Sequence, residues 1–323
     1  LGVPSGPHQT ISPLYLRHDQ VLQWTSYLNY ISATMIKHHL SLIIAGVIWG
    51  TSFMATKLLL GSIPPITIAF IRFLLASSCL LFFIIFIKKE KINLFFLDTF
   101  QLLLLGLFGI TIYYCAENVS LIYISTSSAS LILALIPAAT MILSTIFLKE
   151  KNRLVNWFGA VIALLGACQI VLKDCNIYEL DSLNVGYIYI FIAMISFSLY
   201  TVIGKKLLVS RSPVQITAFT FFYGTILLIP LMILESMGST YINISISTLG
   251  NILYLTLVCS IGGYYFWNWG LSGVDSGKAS IYINVIPLTA VILGVIVLKE
   301  EMTTELISGG VLILSGIYLT NKK

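Results

Sequence analysis

LIPAATMILSTIFLKE occupies residues 135–150, and VIPLTAVILGVIVLKE occupies residues 285–300, at an offset of 150. Neither stretch carries a charge until its closing Lys-Glu, and each holds a proline three residues from its start. The match extends well beyond these stretches. At the same offset Tyr114 pairs with Tyr264, Asn118 with Asn268, Ala129-Ser130 with Ala279-Ser280, and Gly159 and Gly166 with Gly309 and Gly316. Near the start of each half the offset is 148, pairing Lys57 with Lys205 and Pro65 with Pro213.

The chain has 323 residues, of which 58% are apolar and 10% charged, with a mean hydropathy of +0.95. Ordinary soluble domains are nearer 45–50% apolar and about 25% charged. This much apolar surface cannot be hidden from water in a soluble chain of this length. A cytosolic enzyme, a nucleic-acid binder and a secreted disulfide scaffold are thereby excluded. Charge-free runs cover 118–148, 154–172, 182–204, 212–234, 236–274 and 279–298. A spanning helix needs roughly 17–25 apolar residues, so the longer runs hold two spans or a span and a turn. With Gly, Pro, Asn and Ser clusters as breaks, ten spans are expected at 40–60, 65–87, 99–122, 126–148, 154–172, 185–205, 213–234, 249–271, 278–298 and 305–321. Runs of this length without alternation exclude a β-barrel. The expected fold is an all-α polytopic membrane protein. Residues 1–34 hold three prolines and no continuous apolar segment. They read as a non-membrane extension, upstream of the fold or a short cytoplasmic tail, because Met35-Ile36-Lys37 resembles a start.

Five spans repeat as five spans, 36–172 as 185–321. Five is odd, so the second copy enters the membrane from the opposite side. Inverted repeats are a recurrent carrier design with a site near the midplane. Cytoplasmic loops collect Lys and Arg. With both termini inside, 13 of the 18 basic residues face the cytoplasm and two, Lys173 and Lys299, face outward. The net charge of +5 is therefore a topology signal and implies no nucleic acid.

The first and second spans read IWGTSFMATK (48–57) and PPITIAFIRFLLAS (64–77), and the third and fourth YYCAENVSLIYISTSSASLILALIP (113–137) then LKEK (148–151). The second half gives GGYYFWNWGLSGVDSGKASIYINVIPLTAVILGVIVLKEE (262–301). These segments resemble the two EamA-type domains of the drug/metabolite transporter superfamily, over about 36–321. The resemblance implies a ten-helix fold of two inverted five-helix repeats. It also implies a central cavity lined by the first, third, fourth, sixth, eighth and ninth helices, in a bacterial inner-membrane carrier that exports amino acids or other small metabolites. One departure is visible: the glycine usual before the signature glutamate is Lys149 in the first half and Lys299 in the second.

Ionisable groups at membrane depth are candidates for function by default. Three qualify: Lys57, Arg72 and Glu117. At about 1.5 Å per residue, Arg72 and Glu117 fall roughly 10 and 8 Å below the outer surface. A pair, an arginine reaching outward and a functional role are the alternatives, and the resemblance favours a structural Arg72. Glu117 is the one acid expected well inside a span, which makes it the candidate carrier if a proton drives transport. Tyr114, Glu117 and Asn118 share a face of the third span, and Tyr264, Trp267 and Asn268 share the equivalent face of the eighth. Trp49 and Ser52, Ser130, Tyr200, and Tyr282 with Asn284 complete the expected substrate-binding set. The alternative for each is a hydrogen bond between helices or an interfacial anchor. Pro137 and Pro287 are read as hinges or static kinks.

All four histidines lie at or before position 39, and no P-loop, metal-ligand spacing or embedded catalytic constellation occurs. No cofactor is expected. The reading is a secondary carrier of small metabolites, with an uptake carrier, or a membrane enzyme or sensor on a carrier-like scaffold, as alternatives. On the charge count, a reporter fused after Lys323 or within 88–98 will behave as cytoplasmic, and one within 174–183 as external. An external C-terminus in alkaline-phosphatase fusions would require an odd number of spans and would remove the inverted arrangement.

Overall fold

The computed structural model describes residues 18–87, 96–149, 151–174, 182–207, 213–238, 242–274, 280–320 and 322. Residues 1–17, 88–95, 150, 175–181, 208–212, 239–241, 275–279, 321 and 323 fall outside these. All the regular structure described is helical. Eight helices are long and apolar enough to cross a membrane: α1 (Ile36–Leu59), α2 (Pro65–Ile87), α3 (Thr99–Tyr123), α4 (Thr126–Phe147), α5 (Leu154–Lys173), α6 (Val185–Gly204), α7 (Val214–Gly238) and α8 (Ile246–Trp267). Two shorter apolar helices follow, α9 (Tyr282–Ile296) and α10 (Thr304–Thr320). The chain is a multi-pass membrane protein.

The helix containing α1 starts at His18 and runs unbroken to Leu59, and the apolar span within it begins at Ile36. Residues 18–34 contain no proline, the residue that would have stopped it.

Local sequence explains where the helices start and bend. Pro65 opens α2 at the position where a missing N–H costs nothing. Ser125 caps α4 by accepting a hydrogen bond from the Ser128 backbone N–H at 3.0 Å. α4 is interrupted at Ala134–Leu135, and Pro137 is the second residue of its next segment, Ile136–Leu148. α9 opens with a tight 3₁₀ turn, Ser280–Asn284, before Val285–Ile296, which places Pro287 third. Both prolines thus fall in the first turn after a break, where a ring is tolerated. Wide π-type turns occur at Leu107–Ile112 in α3 and Tyr254–Gly262 in α8. They end at positions related by the 150-residue offset, and such turns are frequent at functional sites.

Helix packing is the same when each helix of the first half is exchanged with its counterpart in the second. α1 packs on α8 and α9, as α6 packs on α3 and α4; α2 packs on α7, and α5 on α10. The α5–α10 contact, the most extensive of these, is reciprocal at atomic detail. A Cβ placed on Gly159 would meet Gly316 O at 2.5 Å, and one on Gly166 would meet Gly309 O at 2.5 Å. Equivalent residues therefore face each other in swapped order, as across a two-fold axis.

Gly166→Leu should separate these helices and lower stability by about 2 kcal/mol, in the range for overpacking a tight site. Gly61→Ala, where an added Cβ has open space, is the control that should unfold at the wild-type temperature. Thermal unfolding of both in detergent checks the contrast.

Candidate transport site

Polar contacts concentrate in two places, a clasp at one end of the bundle and a core deeper within it. The clasp lies where α1, α3, α5, α7 and α9 end, the end that the basic residues assign to the outside. The first four N–H groups of any helix lack partners within it, and charged side chains from distant parts of the chain supply them here. Glu300, just after α9, reaches the first turn of α4. Its Oε1 accepts from the Thr126 backbone N–H at 2.7 Å and hydroxyl at 2.8 Å, and its Oε2 from the Ser127 N–H at 3.1 Å and hydroxyl at 2.6 Å. Glu235 of α7 does the same for α2, accepting from the N–H groups of Ile66 at 2.8 Å and Thr67 at 2.7 Å and from the Thr67 hydroxyl at 2.7 Å. Lys57 of α1 closes the opposite kind of terminus, donating to the carbonyls of Leu121 and Ile124 at the end of α3. A negative charge at an N-terminus and a positive one at a C-terminus both oppose the helix dipole favourably.

The backbone around Glu300 is shaped for this contact. Lys299 adopts φ 58°, turning the chain back so that the Glu300 N–H donates to Gly294 O at 3.0 Å. A Cβ on Gly294 would stand 2.4 Å from Glu300 Oε2 and 2.8 Å from Ser127 Oγ, so only glycine leaves room for the carboxylate. A recess of about 210 Å³ lies beside it, lined by Ser125, Ser128, Lys173 and Glu301 among others. None of the expected substrate residues lines that recess.

The core brings most of the expected aromatic residues together. Trp267 meets Trp49 with ring centroids 5.4 Å apart, and Trp49 meets Tyr264 edge-on at 5.3 Å. The run continues from Tyr264 to Phe221 at 5.0 Å, to Phe73 at 5.0 Å and to Tyr114 at 4.6 Å. Tyr113 and Phe197 then link it to Tyr200, the last pair 5.2 Å apart. Six helices, α1, α2, α3, α6, α7 and α8, thus share one continuous aromatic seam. Offset and edge-on pairs of this kind add about 0.5–1.5 kcal/mol each beyond their burial.

Arg72 lies against this seam. It is 3% exposed, which removes the outward-reaching alternative. Its Cζ is 4.7 Å from the Tyr114 ring centroid and 5.2 Å from that of Phe73, and its Nε–H donates to Ser260 Oγ of α8 at 2.7 Å. Glu117 is 5% exposed and within electrostatic range of Arg72, but no hydrogen bond or ion pair joins the two among the described residues.

Other expected site residues are placed differently. Asn118 donates from Nδ2 to Pro65 O at 2.9 Å, tying α3 to the start of α2, and its Oδ1 is buried without a partner. The hydroxyls of Ser52 and Ser130 donate to carbonyls three residues back in their own helices, Trp49 and Ser127. The Tyr282 hydroxyl is 2.8 Å from His39 Nδ1, and His38 Nδ1 is 2.9 Å from Trp269 O. These histidines, set aside at the sequence level, thus join α1 to the second half at the opposite end of the bundle. Asn284 Oδ1 is buried without a partner. The side chain of Asn268 lies outside the described residues. Ser260 and the clasp glutamates were not anticipated. Glu235 was assigned to a loop but lies within the helix Pro213–Gly238, and the signal for Glu300 was its place in the repeated Leu-Lys-Glu.

An apolar helical bundle with polar groups from both halves meeting at depth defines a polytopic membrane protein of the carrier class. The chain matches the EamA-like transporter family twice, over residues 36–172 and 184–322, and belongs to that family. It is 30% identical over 280 residues to an uncharacterized transporter of Archaeoglobus fulgidus, covering 85% of this chain and 95% of that one. It is 24% identical to a probable amino-acid metabolite efflux pump of Salmonella typhimurium, over 84% of this chain and 91% of that protein. A solved crystal structure aligns with a TM-score of 0.59 at 16% identity, over 89% of this chain and 96% of that one, a likeness of fold. The protein is a membrane transporter.

Glu300→Ala should lower stability by about 2–3 kcal/mol, the scale for losing hydrogen bonds to a charged group, whereas Glu301→Ala should leave it nearly unchanged. Equal unfolding temperatures for the two variants would show that the clasp contributes nothing to holding the halves together.

Proposed function

We propose that the protein is a ten-helix secondary carrier that exports small metabolites, amino acids among them, across the bacterial cell membrane by alternating access. Residues 36–172 and 185–321 form two inverted halves, with both termini inside. The observation that carries this reading is the meeting of Arg72 of one half with Ser260 of the other at 2.7 Å, in a seam of rings shared by both halves. Polar and charged groups at membrane depth are costly and mark substrate paths. Exchange-invariant packing and the reciprocal glycine contacts of α5 and α10 support the inverted halves. The 17-residue α10 rises about 25 Å, somewhat less than a hydrocarbon core of about 30 Å, a mismatch that local thinning accommodates. The likeness to the probable amino-acid metabolite efflux pump of Salmonella typhimurium supports export of amino-acid metabolites. The Glu300 clasp joins the second half to the 3–4 turn of the first, and its release is the step that opens the outer end.

Protein-dependent flux in liposomes containing this chain alone tests the reading, since an enzyme or sensor moves no substrate. Tyr264→Phe, which removes the hydroxyl beside Tyr114, should slow flux about fivefold, the equivalent of one hydrogen bond of about 1 kcal/mol, with the unfolding temperature retained. Full-rate flux, or loss of folding, would assign Tyr264 to packing.

A further inference from the structure

Arg72 and Glu117 present a combination that packing alone does not explain. Both are buried, at 3% and 5% exposure, they carry opposite charges, and each lies within the other's field. Leaving a buried charge without a direct partner costs several kcal/mol, so a purely structural pair would close to contact. It does not close. The guanidinium is fixed over the Tyr114 ring at 4.7 Å and beside the Phe73 ring at 5.2 Å, and among the described residues its Nε–H donates to Ser260. The Glu117 carboxylate accepts no hydrogen bond from any described residue, although the Ser120 hydroxyl lies one turn away and donates instead to the Glu117 backbone carbonyl at 2.7 Å. On the next residue, Asn118, the buried Oδ1 also has no partner among the described residues.

We propose that Arg72 and Glu117 are the specificity-determining residues of the transport site and read the two charges of a zwitterionic substrate, Arg72 taking its carboxylate and Glu117 its ammonium group. This rests on the carrier reading above and names the substrate chemistry of that same site. The planar guanidinium fork matches a carboxylate with two parallel hydrogen bonds. The carboxylate of Glu117 offers acceptors alone, which suits an ammonium group with three donors. The rings of Tyr114 and Phe73, which lie against Arg72, and of Tyr264, which joins them through Phe221, would supply apolar faces for the substrate's side chain. Selectivity follows from the same charges. A ligand with an ammonium but no carboxylate leaves Arg72 unpaired in a buried site, and one with a carboxylate but no ammonium leaves Glu117 unpaired. Either is rejected at the free energy of a buried, uncompensated charge.

The test uses liposomes containing the full chain, loaded with the twenty common amino acids together with polar amines and polar carboxylic acids, and reads efflux by mass spectrometry. Amino acids are expected among the exported species. For one that is exported, its amide (lacking the carboxylate) and its 2-hydroxy acid (lacking the ammonium) should inhibit exchange more than about tenfold less well than the amino acid itself, as expected where a buried polar group loses its partner. Arg72→Gln should abolish the preference for the amino acid over its amide, and Glu117→Gln the preference over the hydroxy acid. Equal inhibition by all three compounds in the wild-type protein overturns the proposal without any variant. So do variants that weaken all three ligands equally, the behaviour of a staple between α2 and α8. Export of amines or acids but of no amino acid also overturns it, while leaving the carrier standing. Absence of all protein-dependent flux removes the carrier and the proposal together.

Discussion

Helix ends inside or near lipid impose the constraint on which this bundle depends. Each helix leaves four N–H and four C=O groups without internal partners, and lipid offers none in exchange. At the Glu300 end those groups are matched by side chains from remote parts of the sequence: Glu300 for α4, Glu235 for α2 and Lys57 for the end of α3. Ordinary local caps such as Ser125 and Ser245 coexist with them, but a local cap satisfies one helix and joins nothing. The charged ones do both. Glu300 and Glu235 each bind the second half of the chain to the first, and Lys57 binds α1 to the turn that Glu300 holds from the other side. The stability of these termini and the closure of that end of the bundle are consequently one set of hydrogen bonds, so the end cannot open without exposing donors that must find water.

The aromatic seam has the complementary property. Ring contacts between Trp49, Tyr264, Phe221, Phe73 and Tyr114 cross between helices without requiring a fixed pairing of donors and acceptors. Rings can slide and re-stack at small cost compared with breaking a charged cap. The bundle is thus held by specific polar bonds at one end and by ring contacts in the middle. The wide turns in α3 and α8 lie next to this seam, leading into Tyr113 and Gly263. There they rotate the face carrying Tyr114 and Tyr264 relative to the rest of each helix.

Much of this was legible because lipid simplifies sequence. Charge-free runs gave the helices to within a few residues, and the 150-residue offset gave the correspondence that Gly159 and Gly166 make with Gly316 and Gly309 in space. Shared helical faces brought Trp49, Tyr114, Tyr264 and Trp267 to one place. What sequence did not reveal depends on reach rather than pattern. Glu300 and Glu235 fall just outside the expected spans 278–298 and 213–234, and nothing near them in the chain shows a long side chain bending onto another helix. The contacts of Asn118 with Pro65 O and of Tyr282 with His39, 53 and 243 positions away, were hidden for the same reason. The helix reaches back to His18 through residues without an apolar run, where helix propensity alone is a weak signal.

The lysines that depart from the family signature show how a substitution can preserve geometry at a local cost. Lys149 ends α4 at φ 55° and Lys299 follows α9 at φ 58°, the left-handed region that favours glycine. Both positions therefore still make the turn that a glycine makes, at a cost of roughly 1 kcal/mol each for a side chain there. At position 299 the turn is needed to return the chain to Gly294 and to swing Glu300 onto α4. The four hydrogen bonds that Glu300 then accepts exceed the strain, which is why lysine is tolerated next to it. Both lysine side chains are exposed, so their charges stay in water or among headgroups rather than entering the clasp. At position 299 the backbone conformation, more than the residue type, is what the Glu300 clasp requires.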